Sequence, residues 1–326
     1  MNDRCQADAE HYVTLFDHRF LPLGMALHAS LMEHAAPFHL WIVCMDSEAE
    51  EQLRRISLRN TSLLPLSEVE TADLKAAKAN RGWGEYCWTL SPFTFDWVLS
   101  RCADARRVTY LDADVFFFRP PAAFFKELDE SGKSVLITEH AFPPESRGKE
   151  AEFGKHCVQF LTLGRSGESA AIRAEWAANC LANCSVNKSD VTRKFGDQQY
   201  LDDWPAQYPD SVHVLHAREQ TLAPWNVDYY MRAAGKPYFP VMYHYHQLRI
   251  VSPHFIRLCQ GYNIKRAKDL YAEYLNSLKT QYAKLAGNGI PVPVSGLSDM
   301  KFWLLRQARQ VLFNRARFGY INWKSK

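Results

Sequence analysis

The chain has no CxxC pair, no run of about 18 apolar residues that could cross a bilayer, and no marked excess of charge of either sign. Each absence excludes something. Without paired Cys-x-x-Cys spacings, a structural zinc site of the usual kind is not expected; Cys180 and Cys184 lie four apart with no matching pair elsewhere. The opening residues MNDRCQADAEHYVTLFD hold no apolar core of a secretory signal. Reduced thiols and a cytoplasmic location, at most peripheral at the inner face of the membrane, are therefore the expectation. The net charge of +3 gives no general attraction to polyanions, and basic residues concentrate only near the C-terminus, so nucleic acid is not an expected partner. No internal repeat or low-complexity tract interrupts the 326 residues.

What remains is the composition of an ordinary globular protein, 47% hydrophobic and 23% charged, with enough length for a large core. Aromatics reach 13%, with nine Trp. Sugar-handling sites use such rings, but so does core packing, which is the more economical account of most of them.

Apolar runs and helical spacings alternate along the first half. Residues 12–17 (YVTLFD) and 38–46 (FHLWIVCMD) read as buried strands ending in an aspartate, separated by a helix over 20–34. A helix over 48–58 and a short strand at 62–67 follow, then a polar helical stretch over 67–81. A further helix spans 91–102, with Ser91 as N-cap and Pro92 in its first turn. Strands are expected at 108–111 (VTYL, within the segment 106–120), 134–140, 157–165, 212–215 and 241–250, a loop at 142–156, and helices at 169–184 and 267–286. Continuous apolar strands alternating with helices define an α/β fold with a mostly parallel sheet. The expected division is a catalytic domain over 1–252 and a helical extension over 253–326.

The segment RRVTYLDADVFFFRP carries the most chemistry. Two carboxylates at i and i+2 of an extended chain point the same way. At the end of a parallel strand, Asp112 and Asp114 would face the crevice where open α/β sheets bind ligands. Two anions aimed at one point need a cation, and Mg²⁺ or Mn²⁺ takes one or two carboxylates and fills its shell with phosphate oxygens. The constellation therefore predicts a diphosphate ligand. Its bland alternative is a solvated turn at a strand end.

YLDADVFFFRP resembles the D-x-D strand of GT-A-fold nucleotide-diphospho-sugar transferases, most of all family-8-type glycosyltransferases and a related bacterial group. Three further blocks fall in the same order: YVTLFD with the helix after it, FGDQQYLDDWP at 195–205, and YHYHQLRI at 243–250. The resemblance covers residues 11–250. It implies a GT-A fold and a metal-dependent, retaining transferase. The expected donor is a UDP-sugar, and the expected acceptor a glycan or a lipid-linked glycan. It implies that Asp112, Ala113 and Asp114 hold metal and nucleotide, with Mn²⁺ or Mg²⁺ as cofactor. It offers His244 as third metal ligand and His246 as its competitor. Phe16 and Asp17 match the resting place of base and ribose, and Arg249 the basic residue on the diphosphate. Asp197 and Gln198 match the pair beside the reactive carbon of the sugar. The residues themselves leave retention and inversion open. The chain departs from the family at HCVQFLTLGR, where an Asn-Gly-containing strand is usual, and in the late block, which lacks the Gly and Lys-Pro-Trp.

Two alternatives stand beside this reading. YLDADV also fits the D-x-D-x-Val of haloacid-dehalogenase-type phosphatases, although that motif belongs on a first strand. A non-catalytic sugar-nucleotide-binding relative is the other. The segment 301–318 (KFWLLRQARQVLFNRARF) is basic, aromatic and helical in spacing, which suits either a contact with an anionic membrane surface or a helix packed on the catalytic domain with its arginines solvated.

Overall fold

The computed structural model describes residues 8–186, 194–252 and 255–294, and the backbone of 316–320. Thirteen strands run through it: β1 (Glu10–Phe16), β2 (Phe38–Cys44), β3 (Thr61–Pro65), β4 (Arg107–Leu111), β5 (Val115–Phe117), β6 (Val135–Glu139), β7 (His156–Gly164), β8 (Val212–Val214), β9 (Thr221–Leu222), β10 (Met242–His244), β11 (Arg249–Ile250), β12 (Phe255–Gln260) and β13 (Ala316–Tyr320). The principal helices are α1 (Leu21–His34), α2 (Ser47–Ile56), α3 (Trp83–Leu90), α4 (Phe93–Arg101), α5 (Ala122–Ser131), α6 (Gly167–Ala182) and α7 (Lys268–Gly287).

Seven strands form the main sheet in the order β3-β2-β1-β4-β7-β6-β8. All neighbours are parallel except β7, which runs antiparallel to both β4 and β6. The apolar runs become strands buried on both faces because successive side chains serve opposite layers. Val13 and Leu15 of β1 pack with Tyr86, Leu90, Phe95, Val98 and Trp176 of α3, α4 and α6. Tyr12 and Phe16 pack on the other face with Leu21, Met25 and Leu31 of α1 and Phe124, Phe125 and Leu128 of α5. The α/β class expected from the sequence, with a mostly parallel sheet between helices, is the architecture found.

Several local expectations are revised. Ser91 does not cap α4; it and Pro92 are both right-handed helical and continue the chain from α3 into α4, with no side-chain cap. The expected loop at 142–156 contains a helix, Gly148–Phe153. The expected strand over 241–250 is two short strands, because the chain turns between them, with Leu248 N–H donating to the Tyr245 carbonyl (2.9 Å) and Gln247 at φ 64°. The boundary at 252 falls inside the antiparallel β11–β12 hairpin. Beyond it α7 packs Leu270, Tyr271, Tyr274 and Leu278 against Leu23 and Ala26 of α1 and against Tyr243 and Tyr245. The C-terminal part is therefore built onto α1 and β10 through a shared apolar cluster. Of the helix expected over 301–318, residues 301–315 lie outside the described residues, and 316–318 belong instead to β13, paired with β12.

Cys102 is disulfide-bonded, which departs from the expectation of reduced thiols; Cys44, Cys87, Cys157, Cys180, Cys184 and Cys259 are free. No helix among the described residues is long and apolar enough to cross a membrane.

Candidate active site

Strand β4 delivers Asp112 to the carboxyl edge of the sheet. The chain then leaves extended geometry: Val115 N–H donates to the Asp112 carbonyl (3.1 Å), closing a turn before β5 begins. The two carboxylates converge across this turn, not by the strand alternation expected from their spacing. Ala113, between them, is 7% exposed and belongs to the apolar cluster on the α1 side of the sheet.

A small second sheet, β5-β10-β9, supplies the third member. β10 pairs antiparallel with β5, with His244 opposite Val115, and Tyr245 N–H donates to the Asp114 carbonyl (2.8 Å). This register sets His244 Nε2 3.1 Å from Asp114 Oδ1 and 3.7 Å from Asp112 Oδ2. One donor atom each from Asp112, Asp114 and His244 lies within 4.8 Å of the others. The other ring nitrogen, Nδ1, donates to Gln159 Oε1 at 2.9 Å. That bond fixes the tautomer and aims Nε2 at the carboxylates, the outer-shell arrangement typical of metal-bound histidines.

Because β7 is antiparallel to β4, its first residues lie beside the last residues of β4. Asp112 N–H donates to the Gln159 carbonyl (3.4 Å), and Leu111 pairs with Phe160. Cys157 and Gln159, two apart on β7, both reach the site. Gln159 Nε2 is buried without a hydrogen-bond partner, a costly state for a polar atom that a ligand oxygen would relieve. Trp225 flanks the two histidines, with its ring 5.5 Å from those of both His244 and His246, and its indole N–H donates to the His140 carbonyl (2.7 Å).

The electrostatics are those of a site short of positive charge. Burial and then the neighbouring Asp114 lift the Asp112 carboxyl to about 7, against the pull of His244. Burial also opposes ionisation of Asp114, but His244 overrides it and holds that carboxyl down at about 2. His244 is driven well above the usual imidazole range by the two carboxylates, despite its burial. A proton on His244 thus occupies the place of a cation. Burial and then Asp112 push Asp197 up to about 8. Burial would raise the Cys157 thiol, but the His140 and His244 imidazoles bring it down to about 6. Two carboxylates and a neutral imidazole form a donor set suited to Mn²⁺ and acceptable to Mg²⁺.

The remaining sequence candidates separate. His246 lies outside the three-residue cluster, although its ring centroid is only 5.5 Å from that of His244; burial and the charge of His244 depress its basicity to about 3. Phe16 does not face the cleft: it is 3% exposed and its ring fills the space above Gly24, because its place in the alternation of β1 is the α1 side. Asp17 spends one oxygen on the N–H groups of Arg19 and Phe20 and the other on the indole N–H of Trp83 (3.0 Å). It therefore shapes the cleft edge and presents Trp83, which is 40% exposed. Arg249 stands over the Phe20 ring at 4.8 Å; burial lowers its pKa from the usual guanidinium value, and the carboxylates of Asp114 and Asp17 oppose that fall. Asp197 is 3% exposed and makes no capping bond to the short helix it precedes; its carboxyl interacts instead with the Ser91 hydroxyl and its own backbone N–H. Gln198 donates to the Phe153 carbonyl (2.7 Å) and secures the 148–153 helix. Sequence reasoning did not single out Gln159, Trp225 and His140. The one available signal was that HCVQF departs from the family pattern at the very positions that enter the site.

The likeness to solved structures agrees with this architecture. The bifunctional glycosyltransferase WbbM superposes with a TM-score of 0.50 at 14% identity, over 85% of this chain and 51% of that chain, so the present chain spans about half of it. The apo-form glycosyltransferase GlyE of Streptococcus pneumoniae TIGR4 gives 0.50 at 15% identity, over 85% and 64%. The galactosyltransferase LgtC, in complex with donor and acceptor sugar analogs, gives 0.50 at 12% identity, over 85% and 99%. The fold is thus the GT-A fold. More narrowly, the chain belongs to the family of the uncharacterized protein YfnD of Bacillus subtilis (strain 168). It is 30% identical to YfnD over 278 residues, 82% of this chain and 88% of YfnD. A second protein of the same bacterium, the uncharacterized protein YfnF, is 27% identical over 255 residues, 74% of this chain and 82% of YfnF. No family model matches the chain.

Proposed function

We propose that this protein is a metal-dependent glycosyltransferase that moves a sugar from a nucleotide-diphosphate donor, a UDP-sugar in the first instance, to a glycan or lipid-linked acceptor. The observation that carries the reading is the convergence of Asp112, Asp114 and His244 at the carboxyl end of β4 in a GT-A fold. The phosphatase alternative finds no support in this fold: about a hundred residues of α/β structure, with three strands, precede the strand that carries the D-x-D.

Asp112, Asp114 and His244 are the residues that would hold Mn²⁺ or Mg²⁺. When bound, the ion would neutralise negative charge on a departing diphosphate. Gln159 keeps Nε2 of His244 directed at the carboxylates. Arg249, on the Asp114 and Asp17 side, adds a guanidinium for the diphosphate oxygens. Glycosyl transfer passes through an oxocarbenium-like transition state. In a retaining enzyme Asp197, with Gln198, would support that cation from the face away from the leaving group, through its carbonyl dipole below about pH 8 and as a carboxylate above it. Trp225 and Trp83 offer apolar faces to the sugar and the nucleoside, and Trp225 also keeps water from the carboxylates. An acceptor carried on lipid would engage the basic 301–318 segment, which binding of the intact chain and an Arg306→Glu/Arg309→Glu variant to anionic vesicles would test.

The proposal is tested by a thermal-shift screen of nucleotide sugars with and without Mn²⁺. A bound ligand raises the melting temperature by mass action, by about 2.7 kcal/mol of stability at a hundred times Kd. A shift for at least one donor that requires the ion supports the reading. No shift with any donor and any ion refutes it.

A further inference from the structure

A second cluster of metal-ligating side chains lies away from the D-x-D site, where the sheet-edge strand β8 meets α5. His213 leaves β8 and is nearly buried, with its side chain 9% exposed. Three residues later the strand has ended: Leu215 N–H still donates to the Ile137 carbonyl, but Arg218 N–H already turns back to the His216 carbonyl (2.8 Å). That bend brings His216 beside His213, with ring centroids 4.9 Å apart and planes at 79°. Glu127, on α5, meets both. Its Oε1 lies 2.6 Å from His213 Nε2 and 3.3 Å from His216 Nδ1, and accepts the His216 backbone N–H at 2.8 Å. One donor atom from each of the three side chains lies within 4.8 Å of the others.

We propose that Glu127, His213 and His216 form a binding site for a zinc-class divalent ion, with water in the fourth position. The geometry is the first reason. Bonds of about 2.0–2.1 Å in a tetrahedral shell put neighbouring donors about 3.3–3.4 Å apart. His216 Nδ1 and Glu127 Oε1 already have that spacing. The shorter His213 contact is a hydrogen bond through a proton that a metal would replace, and it opens by less than 1 Å on doing so. The donor set is the second reason. Two imidazoles and one carboxylate suit Zn²⁺ over Mg²⁺ or Ca²⁺, which prefer all-oxygen shells. The third is that two imidazoles converge on one carboxylate oxygen that is already accepting a backbone N–H. With the His213 ring and the His216 backbone N–H already at its two lone-pair sites, that oxygen has no site left for the His216 ring, and a divalent ion in place of the imidazole protons relieves the crowding. The site would clip β8, the three-residue strand at the sheet edge, to α5 and so brace the turn that carries Arg218 onto Glu139 (2.8 Å). The inference is independent of the proposed transferase activity.

The test is a difference measurement on the tag-free intact chain. Zn²⁺ is titrated against a chromophoric chelator for the wild type, His216→Ala and Glu127→Gln. The His216 side chain is 82% exposed, so its truncation leaves the core untouched, and Glu127→Gln keeps the side-chain volume. Whatever zinc the D-x-D site takes is common to all three proteins. The wild type is expected to bind one equivalent more than either variant, or to hold one equivalent at least about tenfold more tightly, and its zinc-induced rise in melting temperature is expected to shrink in both variants. Equal equivalents bound with equal affinity by all three proteins would overturn the proposal.

Discussion

The Nδ1 of His244 lies 2.9 Å from the Oε1 of Gln159, a residue 85 positions earlier on the strand that runs antiparallel beside the D-x-D strand. This bond decides which nitrogen of His244 faces the carboxylates. Gln159→Leu keeps the volume but removes the acceptor, leaving Nδ1–H buried and unpaired and the ring free to turn. Mn²⁺ affinity is expected to fall by about 10–100-fold with the fold retained, as read by calorimetry alongside circular dichroism.

Protons and metal compete at this site. His244 is held protonated well above the usual imidazole range, and Asp112 titrates at about 7. A ligand must shed its proton before it can coordinate. Above pH 7 the cluster gives up one proton, from His244, on binding an ion; below pH 7 it gives up a second, from Asp112. The slope of log affinity against pH is expected to rise from about one to about two as the pH falls through 7. Calorimetry in buffers of different ionisation enthalpy counts the protons directly; a pH-independent affinity would contradict the assignment.

Asp112 should also burden the metal-free fold. Its carboxyl is raised from about 3.9 in the unfolded chain to about 7 in the folded one. The folded state therefore holds the proton more tightly, and stability is lost as pH rises from the unfolded value to the folded one. Above pH 7 the full cost is present. In the presence of a chelator, Asp112→Asn is expected to melt above the wild type at pH 8, with the gap narrowing at pH 5. In Mn²⁺ the order should reverse, because only the wild type gains from the ion.

How much of this could be read from the sequence depended on distance along the chain. The runs YVTLFD and FHLWIVC became β1 and β2 because continuous apolar strands have one stable environment, a sheet covered on both faces. Asp112 and Asp114 were legible because they are neighbours. His244 and His246 were not separable, since alternation alone puts both on one face. What separates them is that β10 ends at His244, where its register against β5 is fixed by the Tyr245–Asp114 backbone bond. Gln159, Cys157 and Trp225 enter through the antiparallel insertion of β7 and a turn near 225, long-range facts that no local period encodes. Phe16 was placed beside the base by the resemblance alone, whereas its position in the alternation of β1, on the same face as Tyr12, sets its ring against α1.

The same Phe16 gives a stability prediction. A Cβ at Gly24 would stand 2.4 Å from the Phe16 ring, which is locked in the layer between β1 and α1. Gly24→Ala improves intrinsic helix propensity by about 1 kcal/mol, but the overlap forces the ring aside at about 1–3 kcal/mol. A net loss of stability is expected in urea denaturation, against the sign that propensity alone would give.

The most direct test is nucleoside-diphosphate binding measured by calorimetry, with UDP, GDP, CDP and dTDP, for the wild type in Mn²⁺, the wild type in EDTA, and Asp114→Asn in Mn²⁺. Asp114 belongs to the cluster with Asp112 and His244. The account predicts that at least one diphosphate binds the wild type in Mn²⁺ and binds at least about tenfold more weakly in the other two conditions. Equal affinity in all three conditions, or no binding of any diphosphate in Mn²⁺, would contradict it.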